Sequence, residues 1–296
     1  MLLSCSTQDF APRHGDEGAV RLLGEAGFGA LDFNLNHYKV RETPDPFWTV
    51  SYEDLKEYAV KMKKVAKEAG TSFGQLHSPY PTFYKDKAKY EEVRKVGERC
   101  IELCALLDSP YIVIHPNVPP ECTEENYFEL AMEPNLDYFS SFAPLLRKTG
   151  VKIAIENMFN WNYEQDRGLE TVASKAENMA YIVDSLNERA GEKLFVACLD
   201  TGHGMISGGG DVPQMIRTLG ARLELVHLHD NDGRHDKHFQ PFKGVIDWDA
   251  VCVAFKEVGY SGNFSLELKP AAGATREYAE EAFASAKRLY ELFLSK

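Results

Sequence analysis

Long apolar runs are missing from this sequence of 296 residues, and so are paired cysteines, basic clusters and glycine-rich phosphate loops. No stretch approaches the roughly 18 apolar residues that a membrane helix needs. The opening MLLSCSTQDF has no basic segment leading into a long apolar core, so a secretory leader is not expected and the expected compartment is the cytosol. The six cysteines (Cys5, Cys100, Cys104, Cys122, Cys198, Cys252) are scattered with no C-x-x-C pair, which leaves buried thiols as the expectation. Lys and Arg number 33 against 45 Asp and Glu, a net charge of −12, and no Lys/Arg cluster offsets it. Such a surface repels phosphate backbones, so nucleic acid is not the expected partner.

Short aliphatic runs alternate with amphipathic stretches from one end of the chain to the other. The strands expected are residues 2–7, 30–35, 72–78, 111–116, 152–158, 194–200, 223–230 and 263–269. Between them lie helical patterns, several ending in Gly just before the next strand. Repeated strand-helix units without a composition break predict a single (β/α)8 TIM barrel spanning 1–296 as one domain. Two connections, 36–50 and 159–170, are long and aromatic. Both follow a strand and therefore fall on the carboxyl face of a barrel, where Phe47, Trp48, Phe159 and Trp161 either wall a pocket or pack the loops.

Ionisable residues recur at the carboxyl ends of these runs: His77, His115, Glu156, Asp200 with His203 just beyond, His227 or His229, and Glu267. A charge inside an aliphatic strand is costly unless it is paired, hydrogen-bonded or metal-bound. Six of eight strands carrying one at the same end is a constellation. Glu156, Asp200, a histidine and Glu267 supply three carboxylates and one imidazole, a donor set suited to one divalent ion with open positions, Mn²⁺ before Mg²⁺, Co²⁺ or Zn²⁺. The segment 224–248 adds Asp236 and His238 in a D-x-H pattern.

The motifs IENM, LDTGH, VHLHDN followed by D-x-H and IDW, and LELKP resemble those of the xylose isomerase-like barrel superfamily, which includes sugar isomerases and epimerases, inosose-acting enzymes and endonuclease IV. The resemblance implies metal ligation by Glu156, Asp200, His227 and Glu267. His227 fits H-x-x-D through Asp230 and His229 fits it through Asp232; the Asn after Asp230 favours His227. It further implies a metal-stabilised enediolate mechanism on a ketose, keto sugar or cyclitol, with Glu156 and Glu267 as base and acid and with dehydration as a close variant. His77, His115, His203, His229, His238, Trp48 and Trp161 would contact the substrate. A multinuclear phosphodiesterase of the endonuclease IV kind, adding His77, His115, His203, Asp236 and His238 as ligands, and a non-catalytic polyol-binding barrel are the alternatives. Lys269 and Arg234 are the only cations expected near the mouth, which favours a free sugar or polyol over a phosphate. A homo-oligomer is compatible with the resemblance. One departure stands out: QPFKGVIDW keeps Gly244 of the usual Gly-x-Gly turn but has Phe242 in the earlier position.

Overall fold

The structure, a computed structural model, describes the chain except residues 41–43, 81–85, 120, 208 and 271–272. Eight parallel strands form the barrel: β1 (Leu3–Ser6), β2 (Ala30–Asn34), β3 (Phe73–His77), β4 (Tyr111–Ile114), β5 (Lys152–Glu156), β8 (Phe195–Asp200), β9 (Leu223–His227) and β10 (Phe264–Leu266). Their order is β10-β1-β2-β3-β4-β5-β8-β9. The ends meet where Leu228 N donates to Ser265 O (2.7 Å) and Glu267 N to Leu228 O (3.3 Å), closing the ring. The expected (β/α)8 barrel is the fold observed.

Alternation along each strand divides two environments. Ile153 and Ile155 face outward into the large core beneath the helices, while Ala154 faces inward with Val113, Val196, Cys198 and Leu225, a separate small cluster inside the barrel. Side chains two residues on share a face, so Glu156 continues the row of Ala154, Asp200 that of Cys198, His227 that of Leu225 and His115 that of Val113. The apolar plug thus gives way to ionisable groups at the carboxyl end. All six cysteines are free thiols and all but Cys122 are buried; burial pushes the Cys198 thiol up to about 12.

The helices are α1 (Ala11–Ala26), α2 (Tyr52–Glu68), α3 (Lys87–Leu106), α4 (Tyr127–Ser140), α5 (Ala143–Thr149), α6 (Ala176–Ala190), α7 (Thr201–Ser207), α8 (Val212–Leu219), α9 (Trp248–Glu257) and α10 (Arg276–Ser295). Left-handed Gly27, Gly150 and Gly191 end α1, α5 and α6, and a reciprocal Ser51–Asp54 capping box starts α2. Three elements differ from the pattern reading. The stretch 138–150, a single helical pattern in the sequence, is divided between the end of α4, which begins at Tyr127 and tolerates Pro134 inside it, and α5. TGHGMIS is the short helix α7 rather than loop, begun by Asp200 Oδ1 accepting from His203 N at 2.7 Å. The 159–170 connection contains an antiparallel hairpin, β6 (Asn160–Asn162) with β7 (Arg167–Leu169). No helix among the described residues is long and apolar enough to cross a membrane.

Candidate active site

At the carboxyl end of the barrel the strand-end residues converge. His227 Nδ1 lies 3.0 Å from Glu156 Oε1 and 3.0 Å from Glu267 Oε2. Glu156 Oε2 lies 3.0 Å from His115 Nε2 and 3.2 Å from His77 Nε2. His229 Nε2 sits 2.9 Å from Asp200, and His238 Nε2 sits 2.8 Å from Asp236. Ligand atoms of Glu156, Asp200, His227 and Glu267 all fall within 4.8 Å of one another. So do those of His77, His115 and Glu156, and those of His203, His229, Asp236 and His238. His227 and His229 therefore take different places: His227 joins the three-carboxylate group, whereas His229 joins the group that includes Asp236.

Three histidines are oriented by main-chain carbonyls. The Nδ1 atoms of His77, His203 and His238 lie 2.9, 2.9 and 3.1 Å from the carbonyls of Ser78, Asn157 and Glu267. A carbonyl can only accept, so each Nδ1 carries the proton and each Nε2 faces the cluster. That is how proteins hold imidazoles for a metal. The opposite nitrogen of His227, Nε2, is 3.2 Å from the buried carboxylate of Asp32 and 2.9 Å from the Gln75 amide. Glu267 Oε2 and both oxygens of Asp32 are buried, and although His227 is close to both residues, none of the three atoms receives a well-directed hydrogen bond. This donor set of carboxylate oxygens and imidazoles fits a divalent cation.

Burial disfavours every charge here, and the partners decide the outcome. It pushes the Glu156 and Glu267 carboxyls up, but the histidines around them, His227 foremost, hold both well below the usual carboxylate range. Burial pushes His227 and His203 down, and neighbouring anionic groups raise both well above the imidazole value. His238 is raised to about 9, burial being outweighed by Asp236. For His115, burial prevails over Glu156 and its value is lowered.

The loop between β9 and α9 is folded around Asp230. Its Oδ1 accepts from Asn231 N and Ile246 N (3.0 Å each), and its Oδ2 accepts from the Trp248 indole N–H (2.9 Å). A Cβ on Gly244 would lie 2.3 Å from Asp230 Oδ1, so only glycine lets the chain pass over this carboxylate. Gly202 plays the same part for His229, whose Cε1 would be 1.9 Å from an added Cβ. Phe242 occupies the left-handed region (φ +71), the conformation a glycine would adopt freely. Its ring turns away from the ligand groups, 3.9 Å beneath the Arg288 guanidinium of α10 and 6.1 Å from Trp248.

The aromatic residues separate. Phe159 meets His203 edge-on at 5.1 Å, and Trp161 lies 5.7 Å from His235, so this hairpin stands at the rim. Trp48 is buried in its own loop, donating its indole N–H to Tyr38 O (3.0 Å) and packing against Phe47 and Tyr38. None of its described contacts is with the histidine-carboxylate cluster. Tyr38 and His37 tie that loop to Asp16, at 2.5 and 3.0 Å. Arg234 is held by Asp166 at 2.6 Å, leaving Lys269 of the two cations expected near the mouth. Asp32 and Gln75 are additions to the site; both stand mid-strand, before the strand ends where the ionisable pattern was sought. Their signal was an acid and an amide at inward-facing positions of otherwise apolar runs.

Similarity to known proteins agrees with this architecture. The chain is 29% identical to protein MJ1311 of Methanocaldococcus jannaschii, over 66% of this chain and 64% of that one. It is also 29% identical to protein y4fM of Sinorhizobium fredii, over 99% and 96%. With the inosose isomerase of Bacillus subtilis it shares 25% identity, covering 69% of each. Among solved structures a D-tagatose 3-epimerase-like protein superposes with a TM-score of 0.75 at 21% identity, covering 100% of this chain and 99% of that one, which shows the shared fold. Residues 20–289 match the family model itself, and the chain belongs to the xylose isomerase-like TIM barrel family.

Proposed function

We propose that the protein is an isomerase or epimerase of a sugar or polyol, dependent on a divalent metal ion held by Glu156, Asp200, His227 and Glu267. The observation that carries the reading is the convergence of these four buried residues, from four strands, with ligand atoms within 4.8 Å of one another. The names of the inosose isomerase and the D-tagatose 3-epimerase-like protein support the same chemistry. When bound, a divalent ion supplies Lewis-acid stabilisation of the negative charge that builds on substrate oxygen as a carbon-bound proton beside a carbonyl departs.

The protein's own groups handle the proton. Glu156 and Glu267 flank one imidazole nitrogen from different strands, so each is placed to exchange a proton with a substrate carbon held beside it. In an epimerisation one takes the proton from one face and the other returns one to the opposite face; in an isomerisation it returns to the neighbouring carbon. Positioned acid-base groups of this kind contribute about 10²- to 10⁴-fold. His77 and His115 fix Glu156 through Oε2. His203, His229 and His238 are the polar contacts for substrate hydroxyls, and Phe159 and Trp161 form the wall beside them. Loss of a β-hydroxyl after the same proton abstraction would give the dehydratase variant.

The test is exchange of the carbon-bound proton in D₂O, followed by NMR, over a panel of ketopentoses, ketohexoses and inososes with Mn²⁺. Exchange is expected with at least one of them and is abolished by Glu156→Gln, whose circular dichroism stays native. No exchange across the panel, or full exchange in the variant, refutes the proposal.

A second reading, a multinuclear phosphodiesterase, is favoured by the additional ligand groups His77–His115–Glu156 and His203–His229–Asp236–His238. The net charge of −12 disfavours a nucleic-acid substrate. Metal analysis separates the two: one tightly bound ion per chain supports the sugar enzyme, three support the phosphodiesterase.

A further inference from the structure

His227 enters the ligand group the other way round from its neighbours. His77, His115, His229 and His238 meet carboxylates through Nε2, whereas His227 presents Nδ1, 3.0 Å from Glu156 Oε1 and 3.0 Å from Glu267 Oε2. Its Nε2 points the opposite way, toward the Asp32 carboxylate at 3.2 Å and the Gln75 amide nitrogen at 2.9 Å. We infer that Asp32 is a positioning residue for the metal centre: by accepting the Nε2 proton of His227 it commits Nδ1 to the divalent ion, a role that rests on the metal-dependent reading above.

A neutral imidazole carries one proton. For Nδ1 to offer its lone pair to a cation, that proton must sit on Nε2. A carboxylate can only accept, so Asp32 stabilises this tautomer alone. The Gln75 amide, with its nitrogen toward the ring, stabilises the opposite one. The two neighbours are therefore rivals, and the carboxylate prevails, because hydrogen bonds to such an acceptor are roughly twice as strong as those between neutral groups. A half-turn of the Gln75 amide then brings its oxygen, a second acceptor, to the same nitrogen.

The placement of Asp32 points the same way. The side chain is fully buried, and Leu31 and Phe33 on either side of it belong to the core beneath the helices, so the carboxylate faces the barrel interior. Gln75 is its register partner on β3, which sets both groups in one layer of the barrel. Among the described residues the one ion pair of Asp32 is with His227, and no other hydrogen bond engages either of its oxygens. An acid buried there costs stability that an apolar side chain of similar size would not. What it supplies in return is an acceptor for His227: a carboxylate on the outer nitrogen of a ligating imidazole aims the ring and makes the inner nitrogen a better donor.

The test uses Co²⁺ as the probe. Competition with a chelator measures its affinity for the whole chain, and proton NMR of the Co²⁺-loaded protein follows the shifted, exchangeable N–H signal that His227→Gln removes. Asp32→Asn keeps an acceptor oxygen without the charge and should weaken Co²⁺ binding by about 10-fold, whereas Asp32→Leu keeps neither and should weaken it by about 100-fold. The N–H signal should move further in Asp32→Leu than in Asp32→Asn, and least in Gln75→Leu. A role in filling space predicts the reverse order of affinities, because leucine suits an apolar interior better than asparagine does. Wild-type affinity in Asp32→Leu, that reverse order, or a greater loss in Gln75→Leu than in Asp32→Leu overturns the inference. Should leucine prevent folding, as judged by circular dichroism, Asp32→Asn decides, and wild-type affinity in it is the overturning result. A wild-type chain that binds no Co²⁺ refutes the metal-dependent reading itself, before any substitution is made.

Discussion

Replacing Asp230 by Asn tests whether the loop that carries Asp236 and His238 is built on a single carboxylate. The side chain is fully buried and accepts three hydrogen bonds, two from backbone N–H groups at opposite ends of the loop and one from the Trp248 indole. An asparagine that keeps Oδ1 for the two backbone donors turns its NH₂ toward the indole N–H, donor against donor. The buried indole then lacks an acceptor, which costs about 1–3 kcal/mol, and the two remaining bonds lose their charge assistance at about 1 kcal/mol each. Relief from burying a charge offsets part of this, so the expected loss is about 2–4 kcal/mol, at roughly 2 °C of Tm per kcal/mol for a chain of this size. Urea denaturation of wild type, Asp230→Asn, Trp248→Phe and the double variant separates the indole contribution, because phenylalanine removes the opposed donor. Asp230→Asn should cost at least about 1 kcal/mol less when Trp248→Phe is already in place. Equal costs in both backgrounds would show that the indole bond contributes nothing and refute the reasoning.

Three further outcomes follow from the site. Glu156→Gln should eliminate turnover with a Tm within a few degrees of wild type when metal is present; an active variant sinks the assignment of this carboxylate. Gly202→Ala places a Cβ against the His229 ring, so overpacking should cost about 1–3 kcal/mol and pull His229 from Asp200. Unchanged stability and unchanged metal stoichiometry would contradict it. Stability of the chelated protein should depend on pH through His238, whose pKa is raised to about 9. A raised value means the contribution is complete below about pH 6.5, the unfolded value, and is lost as pH rises through 9. Tm of the metal-free protein should therefore fall over that window, and less so after Asp236→Asn, which removes the carboxylate that raises the imidazole. A flat profile in the chelated wild type would be the contrary result.

The eight strands were legible because each is a short aliphatic run, and Glu156, Asp200, His227 and Glu267 because a charge at the end of such a run is conspicuous. Asp32 and Gln75 escaped for the converse reason. They stand inside their strands, and their relation to His227 crosses the barrel interior, which no single-strand pattern reveals. Helix α7 is too short and too rich in glycine to register as a helix, and it forms because Asp200 caps it. Trp48, from its place after a strand, could wall a pocket or pack its loop, and its indole bond to Tyr38 O fits the packing role.

The histidines that take their bearings from main-chain carbonyls give the site an unusual kind of tolerance. Every amino acid supplies a carbonyl, so substitution at Ser78 cannot delete the acceptor that sets the His77 tautomer; only a movement of the chain itself can. The information that aims these rings is thus stored in the barrel's curvature rather than in neighbouring side chains. The surrounding sequence can drift while the rings stay aimed, and a change in what the enzyme accepts can arise at the rim without re-tuning the centre.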